Sequence, residues 1–283
     1  MTFYVATGGD DAAAGTEAAP WATLAHAFDV VARGDRVLVG AGTYAGATLS
    51  RHGVVVRAAG DAVIAGHLVV VGNGNRVIGM KVVGTDSQFD DRGARNRFID
   101  CVATGSTVSG FRCRGRRGSL VRCVSTDHFS AATEGKDEDG FIFDDEALFY
   151  TVDRCEAYDN ADDGFDTWGA RHTVFIECVA NRNGFSELGT GDGFKAGRGI
   201  GYQAFGTYLR CEARDNKRRG FNTNGGGGNT FTECLAEGNP TSFRSYDAEL
   251  NLGVRLNRFI RNVAVDGALS LEGTVVRVGN SFD

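Results

Sequence analysis

Acidic residues crowd one short stretch of the sequence, ADDGFDTWG, which runs from Ala161 to Gly169. It contains Asp162, Asp163 and Asp166, and carboxylates this close repel one another unless a cation or hydrogen-bond donors compensate. Hard oxygen ligands at this density suit Ca²⁺, which takes about six to eight of them, better than zinc or copper. The alternative is a solvated polar turn, because Asp and Asn are common turn residues.

A lysine follows in a similar setting. The segment GDGFKAG repeats the Gly-Phe pair and places Lys195 where the first segment has Asp166. A lysine beside a bound dication has a reason for a lowered pKa, and the neutral amine can then act as a base. An ordinary surface lysine is the alternative.

Both segments belong to a repeat that is marked by cysteines at the ends of short β-type runs. The cysteines are Cys101, Cys123, Cys155, Cys178, Cys211 and Cys234, with gaps of 22, 32, 23, 33 and 23 residues. A period near 22 residues with β-type runs predicts an all-β, right-handed parallel β-helix in which each repeat forms one rung. We expect the thiols to stack inward without disulfides, because in-register side chains point in parallel.

Gly-Phe pairs interleave with the cysteines and align the rungs, which lie about 4.8 Å apart. Counted from each glycine, position −1 holds Ser109, Asp139, Asp163, Asp192 and Arg219. Position −2 holds Val108, Glu138, Asp162, Gly191 and Arg218. Position +2 holds Arg112, Ile142, Asp166, Lys195 and Asn222. The alignment gathers five carboxylates on two consecutive rungs and places Lys195 one rung beyond Asp166.

The first 44 residues are typical of a cap. Apolar residues at helical spacing predict a short amphipathic helix over Trp21–Gly34, followed by a strand over Asp35–Tyr44. A helix over the open end of a β-helix protects its unpaired edge. Because no linker composition divides the chain, we predict a single domain over residues 1–283, with rungs from residue 45 onward.

Composition excludes some classes of function. The net charge of −6, from 30 basic and 36 acidic residues, argues against a nucleic-acid binder. It leaves room for a polyanionic substrate, which would need local arginines or a metal. No apolar run is long enough to span a membrane, and the N-terminus MTFYVATGGDD does not have the pattern of a signal peptide.

Insertions before Gly140 and Gly193 enter the column of the acidic residues, where they could wall a groove for a polymer. Trp168 and Tyr202 follow the site positions and suit either stacking on sugar rings or ordinary packing. We expect His128 and His172 to be surface residues rather than catalytic ones.

The segments DNADDGFDTW and GDGFKAG resemble polysaccharide lyase family 9, the pectate lyases with a β-helix, over about residues 134–225. The resemblance implies that Asp139, Asp162, Asp163 and Asp166 bind Ca²⁺ and that Lys195 is the base. The implied reaction is β-elimination on a uronic-acid polymer such as pectate.

This reaction gives roles to further residues. Arg198, Arg218 and Arg219 are candidates for stabilising the negative charge that develops on the substrate, and Trp168 is a candidate for binding it. The resemblance also implies a secreted monomer, although no leader is visible in the chain.

Three other functions are alternatives to the lyase. A C5-epimerase would abstract the same proton and need a second acid near Lys195. A carbohydrate-binding protein with a structural calcium would not need Lys195. A hydrolase is disfavoured, because it needs one protonated carboxyl group that a metal-bound cluster does not readily supply. The identity of the polymer, endo or exo cleavage, and metal binding by Glu138 stay open.

Overall fold

The computed structural model describes residues 1–144, 147–199, 202–245, 256–271 and 276–282. Within these ranges the strands pair into a 12-stranded and a 19-stranded sheet. Successive strands of each sheet pair in parallel, as in Phe165–Asp166 with Asp192–Lys195. Parallel neighbours from consecutive repeats require the chain to coil, which confirms the predicted parallel β-helix.

The 12-stranded sheet forms one face of the coil, here called sheet 1. In sheet order its strands are Thr2–Val5, Arg36–Val39, Val55–Ala58, Arg76–Ile78, Arg97–Ile99, Ser119–Val121, Thr151–Asp153, Val174–Ile176, Thr207–Leu209, Thr230–Thr232, Arg258–Ile260 and Val276–Val278.

The 19-stranded sheet forms the other two faces, joined through the long strands Gly42–Leu49 and Ala62–Val70, whose register shifts between Ala45 and Ala47. The remaining strands of sheet 2 are Lys81–Val83, Val102–Thr104, Val124–Thr126, Glu156–Tyr158, Val179–Asn181, Glu212–Arg214, Leu235–Glu237, Val263–Val265 and Ser281–Phe282. Those of sheet 3 are Phe89–Asp91, Phe111–Cys113, Phe141–Phe143, Phe165–Asp166, Asp192–Lys195, Arg219–Asn222, Thr241–Ser245 and Ala268–Leu271.

Identical side chains stack along the interior. In sheet 3 the phenylalanine of each Gly-Phe pair stacks on the phenylalanine of the next rung. Phe165 stacks on Phe194 in this way, with ring centroids 4.8 Å apart. The six predicted cysteines are buried and free, as is the seventh, Cys113. The inward cysteine ladder is therefore confirmed, and the thiols act as small apolar groups.

A ladder of asparagines closes the corner between sheets 2 and 3. The Nδ2 atoms of Asn160, Asn183 and Asn216 each donate to Oδ1 of the asparagine one rung on, over 2.8 to 3.0 Å. These side chains are buried, and their mutual hydrogen bonds remove most of the cost of that burial.

His128 occupies the ladder position on the rung before Asn160, so the prediction that it lies on the surface is wrong. Its Nδ1 accepts from the Ser106 amide at 3.2 Å, and its Nε2 lies 2.9 Å from Ser125 Oγ. Burial lowers the pKa of His128 to about 3, so the ring is neutral and Nε2 carries the proton. His172, by contrast, is exposed as predicted.

The capping helix spans Leu24–Val30, shorter than the predicted Trp21–Gly34. It begins after Thr23, whose Oγ1 accepts from the His26 amide at 3.1 Å, and it ends where Val31 turns extended. Leu24, Ala27 and Phe28 bury its apolar face, and the helix packs beside the strand Gly42–Leu49. The predicted strand over Asp35–Tyr44 is two strands, and the first of these already belongs to sheet 1.

Among the residues that the structure describes, no helix combines the length and the apolar character needed to cross a membrane.

The aromatic stacks yield a test of stability. Phe231 is fully buried between Tyr208 and Phe259, so Phe231→Ala should lower the free energy of unfolding by about 3–5 kcal/mol. Phe185 is 58% exposed, and Phe185→Ala should change it by less than about 0.5 kcal/mol. Urea denaturation followed by circular dichroism measures both, and equal losses would show that the interior stack contributes no special stability.

Candidate functional site

The register of sheet 3 brings Asp166 and Lys195 together. Phe165 pairs with Phe194 and Asp166 with Lys195 on adjacent strands. Because successive side chains of a strand point to opposite faces, the stacked phenyl rings inside place Asp166 and Lys195 side by side outside. The column that was aligned from the sequence is therefore present in the structure.

Three carboxylates meet beside this pair. Asp139, Asp163 and Asp166 are buried, and one oxygen of each lies within 4.8 Å of those of the other two. Asp139 and Asp163 occupy position −1 of consecutive rungs, where the Asp163 amide donates to Asp139 Oδ1 at 3.1 Å. We call these three residues the acid cluster.

Lys195 supplies a positive charge in direct contact with the acid cluster. Its Nζ donates to Asp163 Oδ2 at 2.9 Å and to Asp166 Oδ2 at 2.8 Å, with 13% of the side chain exposed. Burial acts to lower the pKa of Lys195, but the carboxylates of the acid cluster outweigh it and raise that pKa above its ordinary value. The predicted lowering of the pKa applies to a lysine beside a bound dication and stays a prediction, whereas the carboxylates in contact with the amine act in the opposite direction.

One lysine does not balance three carboxylates. Burial, together with the Asp163 carboxylate, raises the pKa of Asp166 to about 7, although Lys195 opposes the shift. Burial and the neighbouring carboxylates of Asp162, Asp166 and Asp163 also raise the pKa of Asp139 well above its ordinary value. The acid cluster therefore has a deficit of positive charge that a proton or a cation can fill.

Two buried oxygens favour a cation as the missing charge. Among the described residues, Asp166 Oδ1 and Glu138 Oε2 have no hydrogen-bond partner, although buried polar atoms in folded proteins almost always have one. A hard divalent cation such as Ca²⁺ binds carboxylate oxygens of this kind. The residues present therefore fit a calcium ion, with Asp139, Asp163 and Asp166 as the central ligands.

Asp162 is not one of the three carboxylates whose oxygens meet within 4.8 Å. Its Oδ1 accepts from the amide and the hydroxyl of Thr190, and its Oδ2 accepts from the Asp137 amide at 3.0 Å. Of the four predicted ligands, three thus meet in the acid cluster, while the fourth anchors the insertion that ends at Thr190.

A groove of about 440 Å³ opens over the acid cluster. The insertion before Gly140 forms one wall through Thr133, Lys136 and Asp137, and Asp139, Asp166 and Lys195 line the groove. The predicted substrate contact Trp168 lines it too, with 41% of its surface exposed and Lys195 Nζ 5.5 Å from the ring centroid.

The three arginines predicted to assist the reaction lie in different places. Arg219 is buried and its Nη1 contacts Asp192 Oδ1 at 3.1 Å, so its charge is committed to that carboxylate. Arg218 is exposed, and neither it nor Arg198 is among the residues lining the groove. Arg198 and Tyr202 line a separate cavity at the corner between sheets 3 and 1.

Two residues of the site were not predicted from the sequence. The Asp192 amide donates to Asp163 Oδ1 at 2.7 Å, and its carboxylate continues the column of Asp139 and Asp163. Thr190 Oγ1 lies 2.6 Å from Asp163 Oδ1 and 2.9 Å from Asp162 Oδ1. The column could have identified Asp192, but Thr190 lies in an insertion with no counterpart on other rungs.

Comparison with known proteins identifies the family to which this fold corresponds. Residues 3–257 match the family described as "Pel9A-like, right handed beta helix region", in agreement with the predicted handedness. Pectate lyase L of Dickeya chrysanthemi is 32% identical over 139 residues, which cover 46% of this chain and 31% of that protein. The chain thus spans about a third of the length of this curated relative.

Solved structures show the same architecture at low identity. The crystal structure of pectate lyase Pel9A matches with a TM-score of 0.81 and 21% identity, covering 96% of this chain and 78% of that one. A rhamnogalacturonan lyase matches with a TM-score of 0.74 and 21% identity, covering 96% and 84%. The mannuronan C-5 epimerase AlgE6 A-module of Azotobacter vinelandii matches with a TM-score of 0.54 and 12% identity, covering 100% of this chain and 88% of that one. At these identities the likeness concerns the fold.

Thr190 provides a test of how the acid cluster is held. Thr190→Val keeps the shape of the side chain but removes the hydroxyl that contacts Asp162 and Asp163. We expect the free energy of unfolding to fall by about 1.5–3 kcal/mol, the usual contribution of a hydrogen bond to a charged group. Thr190→Ser keeps the hydroxyl and should lose less than half as much. Urea denaturation compares the two, and an equal loss would mean that the hydroxyl does not hold the carboxylates.

Proposed function

The chain belongs to the Pel9A-like family of right-handed β-helix proteins, and from this premise we propose that it is a calcium-dependent polysaccharide lyase acting on a uronic-acid polymer. The observation that carries the proposal is the contact of Lys195 Nζ with Asp163 and Asp166 at the floor of an open groove. A buried acid cluster and a lysine in one groove suit the removal of a proton next to a carboxylate.

The acid cluster is the proposed calcium site, and Glu138, which lines the same groove, has a further oxygen without a hydrogen-bond partner among the described residues. Bound Ca²⁺ would partly neutralise the substrate carboxylate and make the neighbouring C5 proton more acidic. Asp162, held by Thr190 and the Asp137 amide, supports the acid cluster from the side of the insertion.

Lys195 is the proposed base. Its neutral amine takes the proton from C5, the C5–H electron pair forms the C4=C5 double bond, and the C4–O bond breaks. The leaving oxygen takes a proton from water. Asp163 and Asp166 favour the ammonium form of Lys195, and they do so less when their charge is shared with a cation.

The walls of the groove would position the polymer. Trp168 is partly exposed in the groove and its ring centroid lies 5.5 Å from Lys195 Nζ, so a sugar ring stacked on it would lie close to the amine. Arg218 is exposed at the neighbouring rung and stays a candidate for contact with a substrate carboxylate. We also propose that the protein is secreted, because uronic-acid polymers are met outside the cell, and that it acts as a monomer.

Two other functions share parts of this site. A C5-epimerase would use the same abstraction by Lys195 and return a proton to the opposite face of the sugar. A carbohydrate-binding protein would use the groove and the calcium site and leave Lys195 without a chemical role. Variants of Lys195 separate the second function from the lyase, and the chemical nature of the product separates the first.

The catalytic prediction concerns Lys195. With polygalacturonate and Ca²⁺, Lys195→Ala should lower kcat by about 10²–10⁴-fold, the usual contribution of a positioned base. Lys195→Arg should fail equally, because the guanidinium keeps the ion pairs but cannot accept a proton. Ultraviolet absorbance of the unsaturated product measures the rate.

Lys81→Ala is the matched control, since Lys81 lies on sheet 2 and pairs with Asp61. It should retain the full rate. Turnover by Lys195→Ala at the rate of the unmodified protein would exclude Lys195 as the base. Absence of unsaturated product from every uronan would favour the binding function.

Calcium binding is tested without turnover. By mass action, millimolar Ca²⁺ should raise the Tm of the unmodified protein, because the folded state alone presents the acid cluster. Asp166→Asn removes one ligand charge and should abolish most of this increase. Asp29→Asn makes the same change at an exposed position of the capping helix and should leave the increase intact. An equal increase in both variants would place the calcium elsewhere.

A further inference from the structure

A second concave surface lies at the corner where the chain leaves sheet 3 for sheet 1. It encloses about 410 Å³, within the range of small-ligand sites, and three arginines line it together with Tyr202. They are Arg116, Arg171 and Arg198. None of them lines the groove over the acid cluster, and we call this surface the arginine corner.

The arginine corner concentrates positive charge on a protein whose net charge is −6. Arg116 and Arg171 are exposed, and within the described ranges neither forms an ion pair with a carboxylate. Two guanidinium groups that have no acidic partner among these described residues, on one concave surface, favour an anion there. Elsewhere on the molecule, Arg122 and Arg182 are paired with aspartates, whereas Arg76 and Arg97 are exposed on sheet 1 without an ion pair among the described residues. The concave surface that Arg116 and Arg171 share is therefore what distinguishes them.

Backbone pairing sets the spacing of these arginines. Arg116 bridges to Leu148, and Leu148 bridges to Arg171, so the two arginines lie two rungs apart, about 10 Å along the axis. Arg171 is also oriented. Its Nε donates to Tyr202 Oη at 3.2 Å, its guanidinium lies 5.0 Å from the centre of the tyrosine ring, and Tyr202 Oη donates to the Gly169 carbonyl.

The arginine corner is connected to the catalytic groove by the chain itself. Trp168 lines the groove and the next residue, Gly169, lines the arginine corner. From Asp166 to Arg171 the chain can span at most about 18 Å. A polymer of several sugars can therefore contact both surfaces at once, and the second contact would be favoured by the high effective concentration that the first creates.

We propose that the arginine corner is a second binding site for the carboxylates of an acidic polysaccharide, outside the site of cleavage. A guanidinium fork matches a carboxylate through two parallel hydrogen bonds, and repeated carboxylates on one polymer match arginines two rungs apart. The inference rests on the proposed function for the class of ligand. Its consequence is a preference for long polymers over short oligomers.

The test measures binding of the complete protein to polygalacturonate in the presence of a chelator, by isothermal titration calorimetry at low salt. The variant carries Arg116→Gln and Arg171→Gln together. The control carries Arg76→Gln and Arg97→Gln, which remove the same charge from exposed arginines on adjacent strands of sheet 1. We expect the Kd to rise about tenfold or more in the variant and less than about twofold in the control.

Two further ligands define the chemistry. A neutral galactan of similar length should not bind to the arginine corner. Dextran sulfate tests whether any polyanion suffices. Equal loss of dextran sulfate and polygalacturonate binding in the variant would overturn the assignment to carboxylates. An unchanged Kd for polygalacturonate in the variant, or no binding by the unmodified protein, would overturn the site altogether.

Kinetics separate this inference from the proposed function. With Ca²⁺, the variant should show a higher KM for polygalacturonate, an unchanged kcat, and unchanged values of both for a trimer. A protein that binds through the arginines but forms no unsaturated product would retain this site and lose the lyase. A protein that cleaves the polymer with the same KM in variant and control would retain the lyase and lose this site.

Discussion

The stack of phenylalanines inside sheet 3 is the constraint on which the site depends. Each ring lies on the ring of the next rung, with centroids 4.7 to 5.0 Å apart from Phe89 to Phe243. A strand that slipped by one residue would turn its stacked phenylalanine outward and the neighbouring residue, Asp166 or Lys195, inward, which the packed interior forbids. The rings thereby hold Asp166 beside Lys195, and the same register places Asp139 next to Asp163.

That rigid register allows charges to be held together that would separate in a flexible loop. The backbone amides of Asp163 and Asp192 and the hydroxyl of Thr190 all point at carboxylate oxygens, which offsets part of the repulsion in the acid cluster. The charge of Lys195 offsets another part of this repulsion. Asp166 Oδ1, which has no hydrogen-bond partner among the described residues, shows that some negative charge stays uncompensated. Perturbed carboxylates of this kind are typical of functional sites, because their excess negative charge favours binding of a cation.

The sequence predicted the repeat, the inward cysteines and the pairing of Asp166 with Lys195. It could do so because residues one repeat apart in the sequence lie next to each other on adjacent rungs of a β-helix. It failed where the repeat was broken or where a partner decided the outcome. His128 replaces an asparagine in a buried ladder, which only the three-dimensional alignment reveals, and Arg219 is occupied by Asp192. Thr190 lies in an insertion whose path no period describes. The distances from Lys195 to Asp163 and Asp166 are likewise not contained in the sequence.

The central claim is that Lys195 removes the C5 proton and that elimination follows. Proton NMR of polygalacturonate incubated with the protein and Ca²⁺ in D₂O tests it most directly. The account predicts a vinyl signal from H4 of a C4=C5 double bond, growing with each cleaved linkage. Deuterium at C5 of an intact polymer, without a vinyl signal, would contradict it and identify an epimerase. New reducing ends without a vinyl signal would contradict it in favour of hydrolysis.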